Sequence, residues 1–267
     1  MDSETERKYT RSVSQLKSWA QCGEKFYLER IQRRRMPKRP APWTLMGIAV
    51  HDSIMEWEET KHELDIIAYY YRLYDELAEE AWRDQPDPLY WFLPPNAKYV
   101  DKAIKTYRER GAEQLRVYID AFESRPWEIL CLEREFEIDL GGVLVKGTVD
   151  RVLYFVDEDW YLVEDLKTGT VKDEADHRQL GFYAFVAREL WELPVRDGRY
   201  WYLKANRPSE TYDLSRFDRE FWTDQFARLD TAIHLGIYLP NPGSHCQLCP
   251  VRPWCSTQGW LEIGEPL

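Results

Sequence analysis

The sequence predicts an α/β fold in three parts: a mainly helical subdomain over residues 12–125, a mixed sheet with its flanking helix over 126–210, and a helix with a cysteine-bearing tail over 211–267. Three observations predict it. Apolar residues recur at three- and four-residue intervals through most of the first half. From about residue 129 they switch to alternation, with a Gly141-Gly142 turn between two such runs. Three of the five cysteines then fall between 246 and 255. The length suits one domain spanning 1–267.

Residues 1–10 are polar and are expected to fray. Ser12 and Gln15 have capping-box spacing, and Val13, Leu16, Trp19 and Ala20 continue at helical intervals, so a helix is expected from Ser12 to about Ile31. Pro37, Pro40 and Pro42 make the basic stretch from Arg33 to Trp43 a connector. Leu45, Ile48, Ala49, His51, Ile54, Met55 and Glu58 fit one helix, and Ile66 to Trp82 fits a second. Pro86, Pro88, Pro94 and Pro95 interrupt the chain before a long helix from about Ala97 to Phe122. Strands are expected from Ile129 to Ile138, Val143 to Val156 and Trp160 to Lys167, the last two joined by an Asp157-Glu158-Asp159 turn. A helix over 175–192, a strand from Arg199 to Lys204 and a helix over 216–236 complete the pattern.

No run approaches the roughly 20 apolar residues of a membrane span, and the charged N-terminus lacks the apolar stretch of a signal peptide, so a cytoplasmic protein is expected. The formal net charge of −11 argues against a nucleic-acid binder as a whole, since phosphate contacts need Lys and Arg. It leaves room for local basic clusters, such as Arg30, Arg33, Arg34, Arg35, Lys38 and Arg39.

The chemistry concentrates on two adjacent strands. Tyr161, Val163, Asp165 and Lys167 share one strand face, so Asp165 and Lys167 project the same way, roughly 6.6 Å apart along the strand. Asp150 lies on the neighbouring strand and can face them. Two converging carboxylates suit a hard divalent cation, which activates water and polarises a phosphodiester. The lysine can hold the attacking water or balance charge developing on the phosphate. An Asp-x-Lys pair on a strand is also the pattern of an ordinary surface salt bridge; the apolar stretch preceding it and Gly147 before Asp150 favour a site.

Gly147-x-x-Asp150 followed by Asp165-x-Lys167-Thr168-Gly169 resembles the core of the PD-(D/E)XK nuclease superfamily, in its RecB-like exonuclease branch. Gly47-x-x-x-His51 on an early helix and Gln179-x-x-x-Tyr183 on the helix after the lysine strand match the same branch. Val149 stands where the superfamily's name places a proline. The resemblance implies a restriction-endonuclease-like fold and a Mg2+- or Mn2+-dependent deoxyribonuclease, acting as an exonuclease on single-stranded DNA or DNA ends. It also implies His51, Asp150 and Asp165 as metal ligands, Lys167 as the group assisting water, and Gln179 and Tyr183 lining the site. Glu58 and Glu164 are further acidic candidates, although Glu164 points to the opposite strand face from Asp165.

Cys246-x-x-Cys249 with Cys255 forms a ligand-like trio that needs a fourth donor. Cys22 is the better candidate, because Cys131 sits in an apolar strand where a buried thiol is ordinary core. Spacing alone does not separate a zinc site from an iron–sulfur cluster. The pattern from Ser12 through Cys22 to Tyr27, with the C-terminal trio, resembles the iron–sulfur subgroup of RecB-like nucleases, which includes the CRISPR-associated RecB-like exonucleases, AddB nuclease domains and phage homologues. That resemblance implies a [4Fe-4S] cluster on Cys22, Cys246, Cys249 and Cys255, and a setting in recombination, repair or CRISPR-type DNA processing. Relatives form rings, so a homo-oligomer or a nuclease-complex partner is compatible with it. The rival readings are a non-cutting binder of DNA ends and a zinc-stabilised accessory subunit. Cleavage polarity, strandedness and oligomeric state are not encoded in these motifs.

Overall fold

A computed structural model describes residues 10–260, apart from residues 38, 96, 124 and 170–176. Lys38 of the basic run and residues 175–176 of one expected helix therefore lie outside the described residues.

The expected first helix is three pieces. Ser12 caps α1 (Val13–Gln21) by accepting the Gln15 N–H. Cys22 adopts an extended backbone, ends α1 and caps α2 (Gly23–Phe26), and a π-helical turn follows over Tyr27–Ile31. The break has a tertiary cause: a Cβ at Gly23 would lie 2.9 Å from the Leu239 backbone nitrogen, so the returning C-terminal segment presses on the chain there. Helices α3 (Pro42–Glu59), α4 (Ile66–Asp84) and α5 (Val100–Glu123) follow. Asp65 caps α4 through two N–H bonds.

Strands β1 (Thr10–Arg11), β2 (Trp127–Leu140), β3 (Val143–Phe155), β4 (Trp160–Lys167), β5 (Asp197–Tyr202), β6 (Arg207–Pro208) and β7 (Tyr212–Asp213) form one mixed sheet among the described residues. β2, β3 and β4 make an antiparallel meander. Helix α6 (Arg178–Trp191) is the crossover that makes β5 parallel to β4, and α7 (Arg219–His234) follows the short strands. β1 and β4 share one edge of β3 at opposite ends: β1 pairs with Leu144 and Val145, β4 with Arg151 to Phe155. Between them that edge carries no strand among the described residues.

Helices cover both faces. The main core sets Val145, Val149, Val163 and Tyr200 of the sheet against α1, α6 and α7 (Leu16, Phe182, Val186, Trp222, Phe226). On the other face Leu166 packs with α3, α4 and α5 through Ala49, Ile54, Tyr70, Tyr74 and Leu115. The strand parity expected for β4 accounts for this division, since Val163 and Leu166 are three residues apart and face opposite ways.

A buried polar chain joins the sheet to the helical layer. Glu164, fully buried, pairs with both Arg151 and Arg199. Arg151 donates to the Tyr118 hydroxyl (3.0 Å), which donates to Glu58 (2.7 Å), and Glu58 also meets Arg125 and His62. Glu58 and Glu164 are thus occupied in tying layers together and do not face the other acidic residues. Glu164→Ala leaves two guanidiniums buried beside an empty position and is expected to cost about 3–5 kcal/mol. Urea denaturation reads this directly, and a loss under about 1 kcal/mol would show that water or another acid replaces the glutamate.

Candidate active site

Backbone pairing brings the first two acidic residues together. The β3–β4 register ends on Arg151 opposite Glu164, and one further step sets Asp150 beside Asp165. The front of β3 slips in phase at this level. Val145, Val149 and Val152 all lie in the same core, so strict alternation is interrupted between Val149 and Val152. β2 slips too: Cys131 and Phe136 share that core, and between them Glu133 has a φ of 42°. A glutamate in the left-handed region is strained backbone. Glu133 sits between the pairs Leu132–Arg151 and Arg134–Val149, hence across from Asp150.

Asp165 is 1% exposed. Gln179 Nε2 donates to Asp165 Oδ1 (2.9 Å) and to the Tyr183 hydroxyl (2.9 Å), and that hydroxyl donates to Asp150 Oδ1 (3.1 Å). Lys167 forms an ion pair with Asp165 Oδ2, a buried oxygen that receives no hydrogen bond of ordinary geometry. The Lys167 ammonium also lies 5.3 Å from the Tyr200 ring centroid. Burial pushes the Asp165 carboxyl up to about 7, Asp150's charge adding to the shift and Lys167 opposing it. Asp150 is raised as well, by burial and then by Glu133. The Tyr183 hydroxyl is raised by burial and by Asp150.

His51 enters from α3. A Cβ at Gly47 would meet Thr168 Oγ1 at 3.2 Å, so the helix runs close to the end of β4 and His51 follows one turn on. Burial lowers the His51 pKa, with Asp165 and Lys167 among the charges it senses. A neutral imidazole is the ligand form. Helix α5 braces the same point: Gln114 Nε2 donates to the Thr168 carbonyl (3.2 Å).

The donor chemistry fits a divalent cation. Two like-charged carboxyl groups in contact, both with raised pKa, and a buried oxygen without a directed donor are what a cation would relieve. Among the described residues, however, no three His, Cys, Asp or Glu side chains are already arranged to hold one ion. Asp150 and Asp165 stand on neighbouring strands, and His51 stands on a separate helix.

Asp150, Asp165, Lys167, Gln179 and Tyr183 therefore form one network, with His51 beside it. Sequence reasoning missed Glu133, whose signal is the change of apolar parity between Cys131 and Phe136. It also missed the basic wall of a cleft of about 570 Å3 that opens at the strand-free edge of β3. Lys17 and Lys25 line it from the N-terminal helices, Lys146 from β3 and Arg178 from α6, beside Gln179 and Tyr183. The Arg30–Arg39 run supplies none of its lining. Arg39 instead donates to the carbonyls of Tyr90 (2.8 Å) and Trp91 (3.2 Å) and stacks 4.0 Å from the Phe92 centroid.

Cys22, Cys246, Cys249 and Cys255 line a second, small cavity. Cys22 Sγ accepts N–H bonds from Lys25 (3.5 Å) and Asn241 (3.4 Å), and Cys246 Sγ accepts one from Gly243 (3.4 Å). Cys255 Sγ lies 3.3 Å from a Glu24 carboxylate oxygen. Cys131 is in the main core, as its strand context suggested.

The model of the PD-(D/E)XK nuclease superfamily matches residues 10–256. The chain is 28% identical over 265 residues to the Gene 69 protein of Mycobacterium phage D29, covering 92% of this chain and 96% of that one. It is 26% identical over 292 residues to the Gene 69 protein of Mycobacterium phage L5, covering 92% and 95%. A crystal structure from Eubacterium rectale named "Putative exonuclease" is 13% identical, covers 93% of this chain and 92% of that chain, and superposes with a TM-score of 0.46.

The raised Asp165 pKa sets a sign for stability. A carboxyl whose folded pKa is raised stabilises the fold when protonated; that contribution is full below the unfolded value of 3.8 and is lost as pH rises through about 7. Metal-free protein should therefore lose thermal stability from pH 5 to pH 8. Mg2+ at about a hundredfold over its Kd should restore about 5 °C at pH 8 and far less at pH 5. Asp165→Asn should raise the metal-free Tm at pH 8 and abolish the Mg2+ response; an undiminished response would remove Asp165 from the ligand set.

Proposed function

The chain belongs to the PD-(D/E)XK nuclease superfamily, and from that premise we propose that it is a divalent-metal-dependent deoxyribonuclease, cytoplasmic, with an exonuclease action on single-stranded DNA or DNA ends. The observation that carries the reading is the contact of Asp150 with Asp165, hydrogen-bonded through Gln179 and Tyr183 and paired with Lys167. In this reading the chain works as one nuclease domain with a restriction-endonuclease-like α/β fold.

Asp150, Asp165 and His51 are the residues that would hold Mg2+ or Mn2+, which when bound lowers the pKa of water and polarises the phosphodiester. The remaining steps belong to side chains. Tyr183 donates to Asp150 and so fixes one carboxylate oxygen, leaving the other free to bind. Gln179 holds Asp165 and Tyr183 together and is a positioning residue. Lys167 is about one-third exposed, so its ammonium can turn toward a phosphate and offset the charge that grows on it. Lys17, Lys146 and Arg178 line the approach, where they can hold the phosphates of an entering strand.

The four-cysteine cavity supports a [4Fe-4S] cluster held by Cys22, Cys246, Cys249 and Cys255. The Cys22 and Cys246 sulfurs accept backbone N–H bonds, as the sulfurs around such a cluster do. A single zinc ion takes its donors gathered at about 2.3 Å. A cluster takes each thiolate on a different iron and tolerates a wider spread.

Two measurements test the reading. Purified protein with Mg2+ or Mn2+ should degrade end-labelled single-stranded DNA, and Lys167→Ala should slow it by about a hundredfold or more while the protein stays folded. Absence of cleavage by the unmodified protein would favour a non-cutting binder of DNA ends. Anaerobic purification should give a brown protein with broad visible absorption that Cys249→Ser bleaches. Colourless protein loaded with zinc would replace the cluster by the zinc-stabilised alternative.

A further inference from the structure

A second cleft, of about 480 Å3, runs along the first half of α5. Its chemistry follows from two stripes of the helix and the turn before it. Lys98, Lys102, Thr106 and Arg110 recur every four residues, and so do Tyr99, Ala103 and Tyr107 beside them; all line the cleft. Among the described residues no Asp or Glu does, in a chain whose formal charge is −11. Asp101 and Glu109 lie on the same helix outside the lining, and Glu109 is engaged by Arg108 and the Tyr71 hydroxyl. One aromatic of the lining is open: Tyr99 is 58% exposed, whereas Tyr107 is half-buried against the helical core. The Lys102 ammonium lies 5.4 Å from the Tyr99 centroid and the Arg110 guanidinium 4.9 Å from that of Tyr107. Cations around an open aromatic ring suit a strand whose phosphates are charged and whose bases are unpaired. A duplex offers the phosphates but hides the base faces.

The cleft also points toward the carboxylates. Eight residues of helix, about 12 Å, separate Thr106 from Gln114, and Gln114 holds the Thr168 carbonyl next to Lys167. Trp43 and Gly47 repeat the relation on α3, where Gly47 abuts Thr168. At about 3.4 Å per stacked nucleotide, that is three to four nucleotides.

We propose that this cleft is a strand-holding site, which binds single-stranded nucleic acid through Lys98, Lys102 and Arg110 on its phosphates and Tyr99 on its bases, a few nucleotides from the phosphate to be cut. The cut rests on the nuclease reading; the binding does not. The test uses the full chain carrying Asp165→Asn, without divalent cations, and fluorescein-labelled 20-nucleotide oligothymidine followed by anisotropy across a salt series. Lys102→Glu with Arg110→Glu should weaken binding about tenfold or more and reduce the log–log salt slope by about 1.4, the share of two phosphate contacts. Tyr99→Ala should weaken it about tenfold with the slope unchanged, and should leave binding of a duplex of the same length unaltered. If the double variant loses its fold by Tm, Lys98→Glu replaces it, with half the slope change. Unchanged affinity and slope in a folded variant would overturn the site, as would equal loss of duplex binding in Tyr99→Ala. The chain with Asp165 intact separates the two readings. Strand binding lost in the variants while the unmodified chain cuts nothing would leave the cleft standing and remove the nuclease. Cleavage with unaltered strand binding in the variants would do the reverse.

Discussion

Asp150 and Asp165 are pressed together by the backbone pairing of β3 with β4, and much of the rest of the structure bears on that like-charge contact. Neither carboxyl can leave, because each is carried on a strand whose neighbours are locked into the sheet. Burial raises the pKa of both, with Asp150's charge adding to the rise at Asp165 and Glu133's to that at Asp150, and one buried oxygen of Asp165 receives no directed hydrogen bond. What holds the contact is a set of polar groups from two directions: Lys167 from the same strand, and Gln179 and Tyr183 from α6.

The opposite face of β4 shows the same problem solved differently. Glu164 is as buried as Asp165, yet two arginines neutralise it and nothing is left unsatisfied on the glutamate. One residue along the strand thus separates a glutamate paired with two arginines from an aspartate paired with one lysine beside a second carboxyl. The Glu164 network braces the sheet against α3 and α5 through Tyr118 and Glu58. The Asp165 network lies beside a cleft formed where, among the described residues, β1 and β4 leave a stretch of the β3 edge uncovered. A strand there would block the approach to Tyr183 and Gln179.

The two ends of the described chain meet away from this site. Gly23 admits the backbone of Leu239 at a distance no side chain would allow, Asn241 donates to the Cys22 sulfur and the Gln21 carbonyl, and Ser256 donates to Glu24. α1, whose residues wall the cleft, is therefore held at its far end by the cysteine segment.

Local pattern alone determined the order of helices and strands, the shared face of Asp165 and Lys167, the shared face of Gln179 and Tyr183, and the singling out of Cys22 over Cys131. Each of these depends on a period of 2.0 or 3.6 residues or on the apolar character of near neighbours, which a linear chain displays. Tertiary structure decided the rest. The break at Cys22 arises from a contact with Leu239, and the register that sets Glu133 across from Asp150 arises from the pairing of two strands. The basic cleft gathers residues from four separate segments, whereas the contiguous Arg30–Arg39 run, prominent in the sequence, contributes none of its lining. A cation's role depends on which carbonyls, acids or open grooves surround it, and that is set by contacts between residues far apart along the chain.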